Sequence, residues 1–158
     1  MASNIFAKFE GIKGESTDDK HKDEIEVLSY TWGVTNASSA AGGGAAAGKT
    51  TFQDLLIVHK VDKASPLLMR ACATGAHLKD ATLTVRKAGG GQLDYLIVKL
   101  ENVRVTSVMT SGETGQAPSE SITLDFSKIE VAYKPVKADG SLDAAVPFKY
   151  DLKTNKGG

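Results

Sequence analysis

Apolar and polar residues alternate with a period of two along most of this chain, the spacing of strands with one buried face. Ile5, Ala7 and Phe9 share one side of a short first strand, and a charged loop follows over residues 13–24. Residues 25–34 are sharply two-faced. Leu28, Tyr30, Trp32 and Val34 fall on one side, Val27, Ser29, Thr31 and Gly33 on the other. The bulky side is expected in the core, where burying a large apolar side chain is worth about 1.5–3 kcal/mol. The small, hydroxyl-bearing side is left for water. Residues 36–50 are dominated by Gly, Ala and Ser, which bury too little surface to order themselves, so a long extended and mobile loop is expected there. A strand resumes at Phe52 and runs to about Val61.

One helix is predicted, over about residues 65–75. Ser65 is a good N-cap, Pro66 suits the first helical position, and Gly75 is a natural stop. Leu67, Leu68 and Ala71 supply its apolar stripe, with Cys72 beside them as a small core residue. Beyond it the pattern returns to strand and turn. Residues 82–87 and 93–100 flank a glycine-rich hairpin signal at 88–92. Leu96, Val98 and Leu100 then give way to Val103, Val105, Ser107 and Met109, a change of phase. The same slip separates Ile122, Leu124 and Phe126 from Ile129, Val131 and Tyr133. A one-residue slip exchanges faces, so each place demands a bulge or sharp bend, and bent strands curl a sheet towards a barrel. Asp139-Gly140 marks a turn before a last strand carrying Val146, Phe148, Tyr150 and Leu152. The expected fold is mainly β: two sheets in a closed or nearly closed barrel, one short helix, and a single domain over residues 1–158.

Composition narrows the function. Lys plus Arg and Asp plus Glu are 19 each, and no long basic run occurs, which argues against phosphate-neutralising contact with nucleic acid. One cysteine excludes an internal disulfide framework and a multi-cysteine zinc site. Sixteen glycines in 158 residues exceed the roughly 7% average and fit a turn-rich β protein. Lys8 and Glu10 interrupt the N-terminal segment, so no Sec-type signal peptide is expected, and no run approaches the ~18 apolar residues of a membrane span.

The loudest motif is Gly43-Gly44-Ala45-Ala46-Ala47-Gly48-Lys49-Thr50, which matches the P-loop pattern letter for letter. A phosphate-binding loop needs a buried strand before it and a helix after it. Here Ser and Ala precede it and a β-branched run follows, so a surface loop is the expectation and Lys49 is assigned no phosphoryl chemistry. His21, His59 and His77 lack metal-ligand spacing and read as isolated surface or strand histidines. Asp18, Asp19, Asp23 and Glu24 read as a solvated charged loop. No G-x-S-x-G elbow occurs. The residues therefore predict no catalytic group, no metal and no cofactor, and describe a binding or assembly module better than an enzyme.

An ordered set of segments then resembles one family. Lys13-Gly14-Glu15-Ser16 resembles its first loop and residues 25–34 its second strand. Gly48-Lys49 and Asp54 are similar to its extended loop and return, and Asp62-Lys63-Ala64-Ser65-Pro66-Leu67-Leu68 to its helix entry. Arg86-Lys87-Ala88-Gly89-Gly90 with Tyr95-Leu96 matches its central hairpin. The stretch from Phe126 to Tyr133 and the closing Tyr150-Asp151-Leu152 complete the order. The family is Hcp, the tail-tube protein of bacterial type VI secretion systems. The alanine-rich filling at 37–47 departs from its pattern and bears on stacking contacts.

The resemblance implies a homohexameric ring whose stacked copies form a hollow tube inside a contractile sheath and beneath a spike protein. It implies export without a cleaved signal, from the cytoplasm to the outside or a target cell, and small effectors held in the lumen. With it, Ser29 and Thr31 become candidate lumen-facing contacts. Gly42, Gly43, Gly44, Gly48 and Lys49 become a candidate ring-stacking loop. A phage-type tail-tube or baseplate protein shares this architecture, and a small P-loop nucleotide-binding enzyme is the distant alternative.

Overall fold

The computed structural model of the protein describes residues 3–37, 49–87 and 91–158. In chain order the elements are β1 (Ser3–Phe9), β2 (Ile25–Thr31), β3 (Val34–Ala37), β4 (Lys49–Phe52), β5 (Leu55–Lys60), α1 (Ser65–Thr74), β6 (His77–Lys87), β7 (Asp94–Ser111), β8 (Ser119–Asp125), β9 (Lys128–Tyr133), β10 (Val146–Asp151) and β11 (Lys156–Gly157). Nine strands form one sheet in the order β11-β10-β9-β7-β6-β1-β2-β5-β8, and β7 pairs with β8 as well. That extra pairing closes the six strands from β7 through β6, β1, β2 and β5 to β8 into a barrel. The expected barrel is thus one sheet closed on itself, with β9, β10 and β11 as a lateral extension. The second sheet is the two-stranded hairpin β3–β4.

Closure depends on the length of β7. Its 18 residues serve two sets of neighbours. Leu96 to Glu101 lie between β6 and β9, while Arg104 to Ser111 pair with β8. The predicted change of phase falls between them, at Asn102, whose φ of 53° turns the strand so that Val98 and Leu100 on one side of it and Val103 and Val105 on the other all point inward. The second expected slip is a break between strands. Phe126 and Ser127 separate β8 from β9, carrying the chain out of the barrel into the lateral sheet.

Ile25, Leu55, Ile57, Leu83, Val98, Leu100, Val103, Ile122 and Leu124 form the centre of the core. Helix α1 lies against β7 and adds Leu68 and Ala71, with Cys72 half-buried against the same cluster. Gly75 closes the helix at φ 64°, where its N–H reaches the carbonyls of the last turn. The helix start differs from expectation. The cap position is Ala64, and Ser65 turns its hydroxyl back to accept the Asp62 N–H at 3.1 Å, while Asp62 Oδ1 accepts the Ala64 N–H at 2.9 Å. Leu67 is 38% exposed and lies outside the packed stripe.

The charged loop over residues 13–24 is also not the solvated segment its composition suggests. It folds back on the barrel, with Ser16 and His21 buried. Asp18 forms an ion pair with Arg86 at 2.7 Å, and the Arg86 hydrogen bond holds the Asp18 carboxyl below the usual range. His21 stacks on Phe6 between Glu24 and Asp94. Phe6 faces away from the Ile5 side of β1 and is 3% exposed because this loop covers it. The loop looks solvated in sequence because the partners of its Asp18 and His21, Arg86 and Asp94, lie far along the chain on β6 and β7.

Candidate functional site

Strands β2, β5, β8 and the second half of β7 present one continuous outward face. Across it Thr31 pairs with Leu56, Leu56 with Thr123, and Thr123 with Ser107. In the next row Ser29, Val58, Ser121 and Met109 stand side by side, and beyond it Lys60, Ser119 and Ser111. Because strand residues alternate faces, Tyr30, Ile57, Ile122 and Val108 of the same ladders point the other way, towards the core. The outer face is therefore hydroxyl-rich, with exposed apolar positions at Leu56 and Met109. Arg104 and Asp125 close one end of it with a 2.7 Å ion pair.

Ser29 and Thr31 are exposed on this face, and Tyr30 and Trp32 are half-buried against the core. Burial pushes the Tyr30 hydroxyl's pKa up, with Tyr95 adding to it. The rest of the predicted facing of residues 25–34 is corrected. Val27 is buried and Leu28 is 57% exposed, because the β2–β5 register shifts between Val27 and Ser29. That bulge reverses the phase, so Ile25 and Val27 fill the core before it and Tyr30 after it. Val34 is also exposed, since β2 ends at Thr31 and Val34 begins β3.

The hairpin β3–β4 starts beside this face. Val34 pairs with Phe52, Thr35 with Thr51, Asn36 with Thr50, and Ala37 with Lys49. Its base is anchored by the Gln53 N–H donating to the Gly33 carbonyl at 2.8 Å and by Phe52, whose ring centroid lies 4.7 Å from that of Tyr150. The loop expected over 36–50 is thus strand at both ends. Gly42, Gly43, Gly44 and Gly48 lie outside the described residues. Lys49 opens strand β4, where a P-loop lysine would open a helix, so the strand–loop–helix frame that phosphate binding needs is replaced by an antiparallel hairpin.

Two of the three histidines, His21 and His59, differ from their expected isolation. His59 is fully buried with its Nε2 2.9 Å from Glu120 Oε1 and its Nδ1 3.9 Å from Asp62 Oδ2. His21 is held as described, and His77 is exposed on β6. Among the described residues no group of three or more His, Cys, Asp or Glu is placed to hold a metal ion. No helix among them is long and apolar enough to cross a membrane. A cleft of about 450 Å³ on the lateral sheet is walled by Lys99, Glu101, Lys128, Glu130, Lys149 and Asp151. In register, Lys99–Glu130–Lys149 and Glu101–Lys128–Asp151 alternate in sign in both directions. Such exposed pairs are worth little individually and leave no net field.

This geometry defines the class: a small, mainly β protein built on a closed six-stranded barrel with a lateral sheet. Residues 6–133 match the family model described as type VI secretion system effector, Hcp. The chain is 46% identical over 153 residues to protein hcp1 of Pseudomonas aeruginosa, covering 95% of this chain and 94% of that one. A solved structure of a type six secretion system protein superposes with a TM-score of 0.94 at 31% identity, covering 99% of this chain and all of the other. The crystal structure of Hcp1 from Salmonella typhimurium gives 0.82 at 38% identity with both chains fully covered. The chain belongs to the Hcp family of type VI secretion system proteins.

Proposed function

We propose that this chain is the repeating subunit of a hollow secretion tube, acting by assembly and not by catalysis, with residues 1–158 working as one tube domain. The observation that carries the reading is a pair of open edges flanking the hydroxyl-rich face. On β2, pairing with β1 stops at Val27, so Leu28 to Thr31 have β5 on one side and no strand on the other among the described residues. On β7, pairing with β6 stops at Arg104, which among the described residues leaves Val105 to Ser111 with β8 alone. Unpaired backbone on both flanks of one sheet favours side-by-side addition of further copies. Such a contact is heterologous and ends in a ring when its rotation closes. Six copies would then put the Ser29 and Thr31 face on the channel wall. Hydroxyls there bond water or a small secreted effector without fixing either.

In the same reading residues 36–50, including Gly42, Gly43, Gly44, Gly48 and Lys49, contact the next ring. The stacked tube lies beneath a spike and inside a contractile sheath that expels it, and the chain leaves the cytoplasm without a cleaved signal. Light scattering coupled to size exclusion, with negative-stain imaging, tests it. The expected result is a mass near six times 16.6 kDa and six-fold rings. A monomer at every concentration would overturn it.

A further inference from the structure

We propose that His21 is a proton-operated clamp on the loop over residues 13–24: the imidazolium form fastens the loop to the start of β7, and loss of the proton lets it lift. Both ring nitrogens of His21 meet carboxylates, Nδ1 at 3.0 Å from Glu24 Oε2 and Nε2 at 3.0 Å from Asp94 Oδ1. An ionised carboxylate only accepts, and a neutral imidazole has one N–H and one lone pair. Two such contacts at hydrogen-bond length therefore require both nitrogens to donate. The ring's side chain is 7% exposed, so water does not stand in for either partner. Its face stacks on Phe6 with centroids 4.4 Å apart and planes 8° apart.

The charged surroundings make the proton count. On its own loop His21 faces Glu24 and Asp18, whose Oδ1 accepts the His21 backbone N–H at 3.2 Å. Lys20, on the same loop, points to the carbonyls of Gly91 and Gln92. From β6 comes Arg86, over the Phe6 ring at 4.9 Å and paired with Asp18. From β7 comes Asp94, and β1 contributes Phe6 and no charge. With the proton, His21 and Arg86 balance two of the three carboxylates Asp18, Glu24 and Asp94. Without it Arg86 alone faces three, and a ring lone pair points at a carboxylate oxygen. One contact must open. Glu24 is three residues from His21 on the same loop, whereas Asp94 is 73 residues away on another element, so the loop separates from β7. That uncovers Phe6 on the outer face of the barrel. The clamp stands on side chains away from the proposed channel face and does not depend on the assembly reading.

Hydrogen exchange of the full chain tests the clamp, read as protection factors for the amides of residues 16–23 at a lower and a higher pH, about 6 and about 9. Imidazole nitrogen-15 shifts report the ring state. Wild-type protein is expected to show both His21 nitrogens protonated at the lower pH and a loss of loop protection of about tenfold or more at the higher. In Asp94→Asn the amide can donate to a lone pair or accept from an N–H, so the pH dependence is expected to vanish while the loop stays protected. His21→Gln is likewise expected to be insensitive to pH. A neutral His21 ring at the lower pH, equal wild-type protection at both, or an unchanged pH response in either variant would overturn the clamp.

Discussion

His59 Nε2 stands 2.9 Å from Glu120 Oε1, directly across the β5–β8 ladder, with both side chains wholly withdrawn from solvent. The pair occupies inward positions that Ile57 and Ile122 hold one step further along the same two strands. Removing one member strands a buried polar or charged group. Glu120→Ala is therefore expected to cost about 3–5 kcal/mol. The double change His59→Leu with Glu120→Met fills the same space with apolar atoms and is expected to recover most of that loss. Urea unfolding of the three proteins measures both.

Asp62 lies beside this pair, and burial holds its carboxyl above the usual range, with Glu15 and Glu120 adding to the rise and the Ala64 N–H and His59 opposing it. A raised carboxylate pKa means the folded state holds the proton more tightly than the unfolded chain. The stability it brings is present below about pH 3.8 and is lost as pH rises through the folded value. Asp62→Asn keeps an acceptor for the Ala64 N–H and removes the charge. It is expected to melt above wild type at neutral pH, with the gap closing on acidification. Paired thermal melts across that range check the sign.

Gly14 sits where a Cβ would lie 2.5 Å from the Glu24 carbonyl oxygen and 2.8 Å from the Ile25 Cα. Backbone cannot yield as a side chain would, so Gly14→Ala is expected to cost about 1–3 kcal/mol and loosen the loop over 13–24. At Gly33 the nearest atom to an added Cβ is a Gln53 side-chain oxygen at 3.4 Å. Gly33→Ala is expected to stay within about 0.5 kcal/mol of wild type in the same denaturation experiment.

Thr31 and Trp32 are neighbours with opposite roles. Thr31→Gln extends into open space and is expected to leave stability within about 0.5 kcal/mol of wild type and assembly intact, while effector co-purification falls. Trp32→Ala removes a half-buried ring packed on the core and is expected to cost about 2–3 kcal/mol, less than full burial would. Melting and particle imaging of the two variants separate core from channel wall. A destabilised Thr31→Gln beside a silent Trp32→Ala would mean the strand faces the other way.

Local pattern made much of this fold legible. The run Ile122, Leu124, Phe126 predicts its own buried face, and Pro66 and Gly75 bracket the helix. The phase change after Leu100 announces the turn at Asn102. Alternation places Leu28 on the wrong face because it counts from a fixed start, and a single extra residue at the β2 bulge reverses the count. The buried histidines were hidden for another reason. Glu120 is 61 residues from His59 and Asp94 is 73 from His21, so no spacing rule connects them. At the proposed channel face, the small residues of β2 were visible from the start. Their continuation through Thr123, Ser121 and Ser107 emerges only from the register of three separate ladders.

The order of strands around the barrel also sets a timetable for synthesis. Ile5 must wait for Val85, 80 residues later, before β1 gains its second neighbour. At 5–20 residues per second that is a delay of roughly 4–16 s on the ribosome. The ring of strands cannot shut until β8 has emerged as well, because β5 and the far half of β7 both depend on it. During that interval the nascent chain carries β1 and β2 with exposed apolar faces and unpaired edges. Those are the conditions in which chaperones bind and premature self-association begins. Any hold-up in translation between β5 and the emergence of β8 prolongs this vulnerable stage, while one after β8 has emerged does not.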